Sequence, residues 1–184
     1  KQRYIGLVCQ KDGNIENPES DDLYRVGVIA EVMRVIELAN DNLSIIIQAK
    51  KRFEWHEMVQ SEPFFKARYK IRESIPASKD DKEYVAILDS IRDTMIQMLQ
   101  LLGEPPKELL QTLNNEAFLD MLVSYCATNL PIDSREKQEL LNIDDEKEQA
   151  FRLLMILNRE MQVLELKMNI QMKTREDLNQ QQKE

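Results

Sequence analysis

The last forty residues contain neither glycine nor proline, and this stretch constrains the fold more than any other feature of the chain. Asp145 and Glu148 have the spacing of a capping pair that starts a helix. A helix from about residue 146 to Glu184 would hold about 39 residues and reach about 58 Å. A small domain cannot cover that length. The sequence therefore predicts one long helix that extends beyond the elements packed against it.

Apolar residues with a spacing of three or four run along most of this helix: Phe151, Leu154, Leu157, Met161, Leu164, Met168 and Met172. Leu178 is the only apolar residue among the last twelve. We expect the proximal part to pack on other helices, and the distal part to be frayed, disordered or paired with segments outside this chain. Met161, Leu164, Met168 and Met172 are candidates for a seam between copies, because thioether side chains adapt to several packings. Packing within the chain's own core is the alternative.

The apolar period changes from two to 3.6 near residue 76, which predicts a boundary between a β-rich domain (1–76) and a helical bundle (77–184). A helical stripe ends at Leu102, before Gly103 and Pro105. Three shorter helices are predicted before the long one: from Pro106 to about Leu113, from Glu116 to Leu130, and a brief one capped by Asp133 and Glu136. The expected fold class is α+β.

Four strands are predicted in the first half: Tyr4 to Gln10, Leu23 to Leu38, Leu43 to Ala49, and Lys66 to Arg72, with a turn at residues 39–42. In the last strand Ala67, Tyr69 and Ile71 alternate with four basic residues, which predicts one buried face and one basic face. The basic face could bind phosphate, but a solvated face paired to neighbouring carboxylates is the favoured interpretation. Lys50 to Arg52, followed by Phe53, Trp55 and His56, is a weak signal for base stacking.

Signatures of catalysis, nucleotide binding and membrane insertion are missing from the sequence. The four glycines form no phosphate-binding loop, and the single histidine, His56, has no metal-site context. The two cysteines, Cys9 and Cys126, are expected to be buried thiols. No apolar run approaches the roughly 20 residues of a membrane span, so we expect a cytoplasmic protein. Residues 77–184 hold 21 of the 33 acidic side chains, which makes nucleic acid an unlikely partner of that half.

Several strings, in this order and spacing, resemble the amino-terminal region of the Lon family of ATP-dependent serine proteases. Residues 4–12 resemble that family's strand ending in a Gln-Lys-Asp-type turn, and residues 23–30 its "YxVGTxA" strand. Residues 63–68 are similar to its "PYFxAxV" segment, and residues 129–141 to its "LPxxxxEKQxLL" segment. Gln182, Lys183 and Glu184 resemble the start of its "QREYxLxxQ" string, with Lys183 where arginine is usual.

The resemblance implies a PUA-like β domain and a helical bundle that recognise unfolded or damaged protein substrates and support a hexamer. The family's opening "LPLR" strand is missing before Lys1, so the resemblance implies that the first strand of the β domain is absent. The active site, with ATP and Mg²⁺, would lie in modules beyond Glu184, and no cofactor is expected in this chain. Trp55, Phe64 and Phe65 are candidate substrate contacts; ordinary core positions are the alternative.

Two other functions stay open at this point. The β architecture and the basic strand would suit an RNA-binding PUA-like module, whose binding would depend steeply on salt. A coiled-coil adaptor would form a stable oligomer from this chain alone, but its polar end argues against this alternative.

Overall fold

The computed structural model describes residues 3–38 and 42–181, and the side chains of these residues except 120 and 176–181. It has the predicted α+β class. In chain order the elements are β1 (Tyr4–Leu7), a 3-10 turn (Ser20–Asp22), β2 (Val26–Glu37), β3 (Leu43–Gln60), β4 (Lys66–Arg72), α1 (Lys82–Leu102), α2 (Lys107–Leu113), a 3-10 turn (Glu116–Phe118), α3 (Leu119–Asn129), α4 (Ser134–Asn142) and α5 (Glu146–Gln181). Most of the turn predicted at 39–42, and the string at 182–184, lie outside the described residues.

The chain divides into two compact units, and the chain crosses between them three times. Unit 1 is Lys1–Ile75 with Ile132–Asp144, and unit 2 is Pro76–Pro131 with Asp145–Glu184. The predicted change near residue 76 coincides with the first crossing. The segment that holds α4 packs with the sheet, although its local pattern had assigned it to the helical half. As a division into domains, 1–76 and 77–184 stays a prediction.

Unit 1 is built on a four-stranded antiparallel sheet in the order β1-β2-β3-β4. The bounds of β4 are those that the alternation predicted. Strand β3 does not end at Ala49 as expected, because it continues to Gln60 and pairs with β2 and then with β4. Residues 50–52, which carry three positive charges, therefore lie within a strand.

The core of unit 1 gathers around Leu23, Phe53 and Trp55, all of which are buried. Gly27 lies opposite Phe53 in the sheet. A Cβ atom at Gly27 would collide with the carbonyl oxygen of Leu7 and lie 2.7 Å from a methyl group of Val8. The absence of a side chain at Gly27 thus lets β1 and the Phe53 ring approach β2 closely.

Two arginines of the sheet hold the end of α4. Arg52 donates hydrogen bonds to the carbonyl oxygens of Leu141 (2.8 Å) and Ile143 (2.6 Å). Arg72 donates to the carbonyl oxygen of Asn142 (2.9 Å) and, through Nε, to the Asp144 carboxylate (3.0 Å). These contacts and a hydrogen bond from the Ile75 amide to the Asp144 carbonyl (2.9 Å) fix residues 141–144 against β3 and β4.

Unit 2 is organised by α1 and α5, which start at the same end of the unit. Lys147 on α5 forms ion pairs with Asp81 (2.7 Å) and Glu83 (2.6 Å) at the start of α1. The face of α5 that packs inward consists of Ala150, Leu153, Ile156 and Leu157. Phe151, which the spacing had placed on this face, is 52% exposed. The prediction was wrong for Phe151, because the face of α5 that contacts the other helices is rotated by about one residue from the predicted apolar stripe.

Substitution Gly27→Ala should destabilise unit 1, because the added methyl group meets backbone rather than a side chain that can move. We expect a loss of about 1–3 kcal/mol in the free energy of unfolding, measured by urea denaturation. Gly13→Ala is the matched control, since nothing lies within 4 Å of an added Cβ there. Equal effects at the two glycines would contradict this account of the packing.

Substitution Asp144→Asn should weaken unit 1 in a pH-dependent way. Hydrogen bonds from Arg72 lower the pKa of Asp144 below its usual value. A carboxyl group with a lowered folded pKa stabilises the fold above its unfolded pKa, about 3.9, and loses this effect as the pH falls further. We expect a loss of about 1–2 kcal/mol at neutral pH, which shrinks as the pH falls below about 4 and through the lowered folded pKa, in urea denaturation series.

The double variant Arg72→Gln/Asp144→Asn should be as stable as the less stable of the two single variants. Each single substitution already removes the same interaction. A stability difference at Asp144 that stays constant across the pH range would show that its charge does not matter.

Candidate protein-binding surfaces

The loop between β3 and β4 presents two aromatic side chains to solvent. Phe64 is 57% exposed and Phe65 is 41% exposed. The loop is held by a hydrogen bond from Gln60 Nε2 to the Phe64 carbonyl oxygen (3.1 Å), and Lys66 Nζ lies 5.0 Å from the centre of the Phe64 ring. These two predicted substrate contacts are therefore open to a partner.

Trp55, the third predicted contact, lies in the core and is only 3% exposed. Its indole N–H donates a hydrogen bond to the Tyr24 carbonyl oxygen (2.8 Å), and the Arg25 guanidinium lies 3.9 Å from the centre of its ring. The apolar ring of Trp55 and its polar N–H group thus both have partners inside unit 1. Trp55 is thus a buried core residue, although it also lines the groove on the sheet that Phe65 lines.

An open groove of about 550 Å³ lies on one face of the sheet, next to the Phe64 loop. Its walls are largely aromatic and aliphatic, and include Tyr4, Phe53, Met58, Phe65 and Tyr69. Lys66 is the one charged residue among the described residues that line it. A groove of this composition suits apolar side chains of a polypeptide. Tyr69 is exposed at its rim, contrary to the predicted buried face of β4.

The far half of the β2–β3 hairpin is a second exposed apolar surface, which the sequence analysis missed. Its exposed side chains are Met33, Val35, Leu43, Ile45, Ile46 and Ile47. Runs of β-branched residues on both faces of a strand usually indicate a strand buried on both sides. That pattern could have pointed to the surface.

Three of the four basic side chains of β4 pair with carboxylates of the same unit. Arg68 pairs with Glu57 (3.1 Å), Lys70 with Glu54 (3.3 Å), and Arg72 with Asp144. This is the solvated face paired to neighbouring carboxylates that the sequence analysis favoured over phosphate binding. The strand offers less free positive charge than its sequence suggests, which weakens the case for RNA.

In unit 2, an apolar groove of about 380 Å³ lies between α5 and the ends of α1, α2 and α3. Leu164 of the predicted seam lines it, together with Val163, Glu160 and Lys167 of the same helix. Met161 and Met168 are half-buried, and Met172 is exposed. Leu166 and Ile170, which the seam did not include, are also exposed.

Residues suited to catalysis or metal binding are not brought together in the described part of the chain. No group of three or more His, Cys, Asp or Glu side chains could hold a metal ion there. His56 is exposed and lies within β3. Cys9 is exposed, against expectation, whereas Cys126 is buried and its desolvation raises the thiol pKa to about 12. Among the described helices, none has the length and apolar character needed to cross a membrane.

Residues 1–159 match the family model of the ATP-dependent protease La (LON) substrate-binding domain. The chain belongs to this Lon family. It is 45% identical over 184 residues to the Lon protease of Parabacteroides distasonis, and 39% identical over 183 residues to that of Porphyromonas gingivalis. These matches cover 100% and 98% of the chain but 22% of each relative, so the chain spans about a fifth of their length.

Two solved Lon amino-terminal domains share the fold. The domain from Mycobacterium avium complex superposes with a TM-score of 0.60 at 16% identity, covering 84% of this chain and 90% of that one. The domain from Xanthomonas campestris gives 0.50 at 13% identity, covering 83% and 88%. The family match thus places the chain in the substrate-binding region of Lon, and the shared fold agrees with it.

Trp55 is the only tryptophan, so its fluorescence reports on its burial. We expect iodide to quench its emission several-fold less in the folded chain than in urea, because the ring is enclosed in the core of unit 1. Acrylamide quenching of the unfolded chain serves as the reference for full access. Equal iodide quenching of the folded and unfolded chains would return Trp55 to the list of surface contacts.

Proposed function

We propose that this chain is the region of an ATP-dependent Lon-type protease that captures unfolded or damaged protein substrates. Unfolded proteins differ from folded ones in exposing apolar side chains along an extended backbone. A receptor for them needs apolar surface that is accessible and not specific for one sequence. The single observation that carries the proposal is the exposed Phe64–Phe65 loop beside an almost uncharged groove.

Phe64 is the stronger of the two candidate contacts. Phe65 lines the groove, and Phe64 does not. Phe64 is also the more exposed of the two, at 57% against 41% for Phe65. A bound segment would therefore meet Phe64 on the loop and Phe65 at the wall of the groove. Trp55 would act only by supporting the sheet beneath the loop.

In the whole protein, we propose, bound segments pass to an ATPase module and a serine protease site outside these 184 residues. The four glycines of this chain form no phosphate-binding loop, so its residues do not fit ATP and Mg²⁺, which belong to the proposed ATPase module. Assembly into a hexamer through α5, with Met161, Leu164, Met168 and Met172 at the seam, is part of the same proposal. A cytoplasmic location also stays a prediction.

The variants Phe64→Ser and Phe65→Ser test the capture surface. We expect Phe64→Ser to weaken binding of a fluorescein-labelled unfolded casein by about threefold to thirtyfold, as loss of a well-placed aromatic contact does. Binding is followed by fluorescence anisotropy, with circular dichroism to verify folding. Phe65→Ser should weaken binding as much or less.

Phe151→Ser is the matched control, since Phe151 is equally exposed but lies in unit 2. Binding that survives both loop substitutions, or falls equally with Phe151→Ser, would remove the loop from the proposal. Binding of single-stranded RNA in place of casein, with a steep salt dependence, would favour the RNA-binding alternative.

A further inference from the structure

Lys66 is the basic residue of β4 whose charge is not paired with a carboxylate of the described part of the chain. Arg68, Lys70 and Arg72 each form an ion pair with a carboxylate of unit 1. Lys66 is exposed and forms no ion pair with a described residue. Its ammonium group is therefore available to a carboxylate of a bound partner.

Lys66 lies next to both apolar elements of the proposed capture surface. Its Nζ atom is 5.0 Å from the centre of the Phe64 ring, which is within the range of a cation–π contact. Lys66 also lines the groove, as the one charged residue among the described residues there. Its backbone is fixed, because Lys66 begins β4 and pairs with Gln60, whose side chain holds the loop. A segment bound at this loop therefore comes close to a fixed positive charge.

We infer that Lys66 makes the capture site selective for extended apolar segments that carry an aspartate or a glutamate close to the apolar side chain. Contact with an apolar segment removes water from the ammonium group, and this costs free energy unless a carboxylate replaces that water. A lysine or an arginine at the same position of the segment is repelled. The inference rests on the proposed capture of unfolded substrates and adds the class of segment that is preferred.

The geometry of an extended chain sets the spacing between the apolar residue and the carboxylate. Successive residues are about 3.3 Å apart, and residues two apart project to the same side at about 6.6 Å. That separation is similar to the 5.0 Å between Nζ of Lys66 and the ring centre of Phe64. When an apolar side chain of the segment contacts Phe64, a carboxylate two residues away thus lies beside Lys66. Immediate neighbours project to the opposite side.

The net charge of the chain opposes this preference, so the local effect of Lys66 can be recognised by its sign. The formal net charge is -8, and a negatively charged protein attracts basic segments and repels acidic ones. Long-range attraction alone would thus favour a basic segment. A preference for an acidic segment has to arise from a positive charge at the binding site itself.

Fluorescein-labelled peptides that differ only near one phenylalanine test the inference on the 184-residue chain. Each peptide is rich in Gly and Ser around the apolar group Leu-Phe-Leu, and the residues two positions before and after the phenylalanine are both aspartate, both asparagine or both lysine. Fluorescence anisotropy gives the dissociation constants. We expect the aspartate peptide to bind about threefold to tenfold more tightly than the lysine peptide, with the asparagine peptide between them. A peptide with both aspartates moved to its ends should bind like the asparagine peptide.

Variants of Lys66 test whether this side chain causes the preference. Lys66→Glu should reverse the order of the aspartate and lysine peptides, because it reverses the charge that they meet. Lys66→Gln should bring their dissociation constants to within about twofold of each other, and Lys66→Arg should preserve the order. Lys51→Glu is the matched control, since Lys51 is exposed on β3 but does not line the groove, and it should also preserve the order. Circular dichroism verifies that each variant is folded.

The inference and the proposed capture of substrates fail in different ways. Equal binding of the three peptides, or tighter binding of the lysine peptide, would overturn the preference and leave the capture proposal in place. An aspartate preference that persists in Lys66→Gln, or disappears in Lys51→Glu, would overturn the role of Lys66. A chain that binds unfolded casein but none of the peptides would overturn the inference alone, whereas a chain that binds neither would overturn both.

Discussion

The organisation of unit 1 depends on the hydrogen bonds that Arg52 and Arg72 donate to residues 141–144. The last carbonyl groups of any helix lack partners within the helix. Helix α4 has no basic residue in its last turn to interact with them. The sheet supplies the missing donors, so the two guanidinium groups satisfy the end of α4 and bind it to β3 and β4 in one arrangement. Gln138, buried, adds a hydrogen bond to the Val26 carbonyl oxygen (2.9 Å) from the middle of the helix.

Features encoded by neighbouring residues could be predicted from the sequence, and features that depend on distant residues could not. Strand β4 and the starts of α4 and α5 follow from alternation and from capping carboxylates, and Asp133 accepts the expected hydrogen bond from the Glu136 amide (2.8 Å). Membership of α4 in unit 1 depends on a contact across 112 positions. The exposure of Tyr69 and the rotation of α5 away from Phe151 likewise depend on what packs opposite them. Periodicity alone does not contain that information.

The three aromatic candidates show the same limit at the functional surface. Composition treats Trp55, Phe64 and Phe65 alike, as large apolar residues beside basic ones. Their roles separate because Trp55 points from β3 into the core beneath Tyr24, whereas Phe64 and Phe65 follow the end of β3 in a loop. A loop cannot bury its side chains against the sheet as a strand does, so aromatic residues there are either a cost to solubility or a contact. Under the proposed capture of unfolded substrates, Phe64 and Phe65 are such contacts.

Helix α5 is longer than the helices that pack against it. With 36 residues it spans about 54 Å, whereas α1, with 21, spans about 32 Å beside it. The two helices start together at the Lys147 ion pairs, so α1 ends near the level of Lys167. Beyond that level, Ile170 and Met172 are exposed on a helix without an α1 neighbour. Helical turns without packing partners are only marginally stable in water. Contact of Ile170 and Met172 with another apolar surface would therefore stabilise this part of α5.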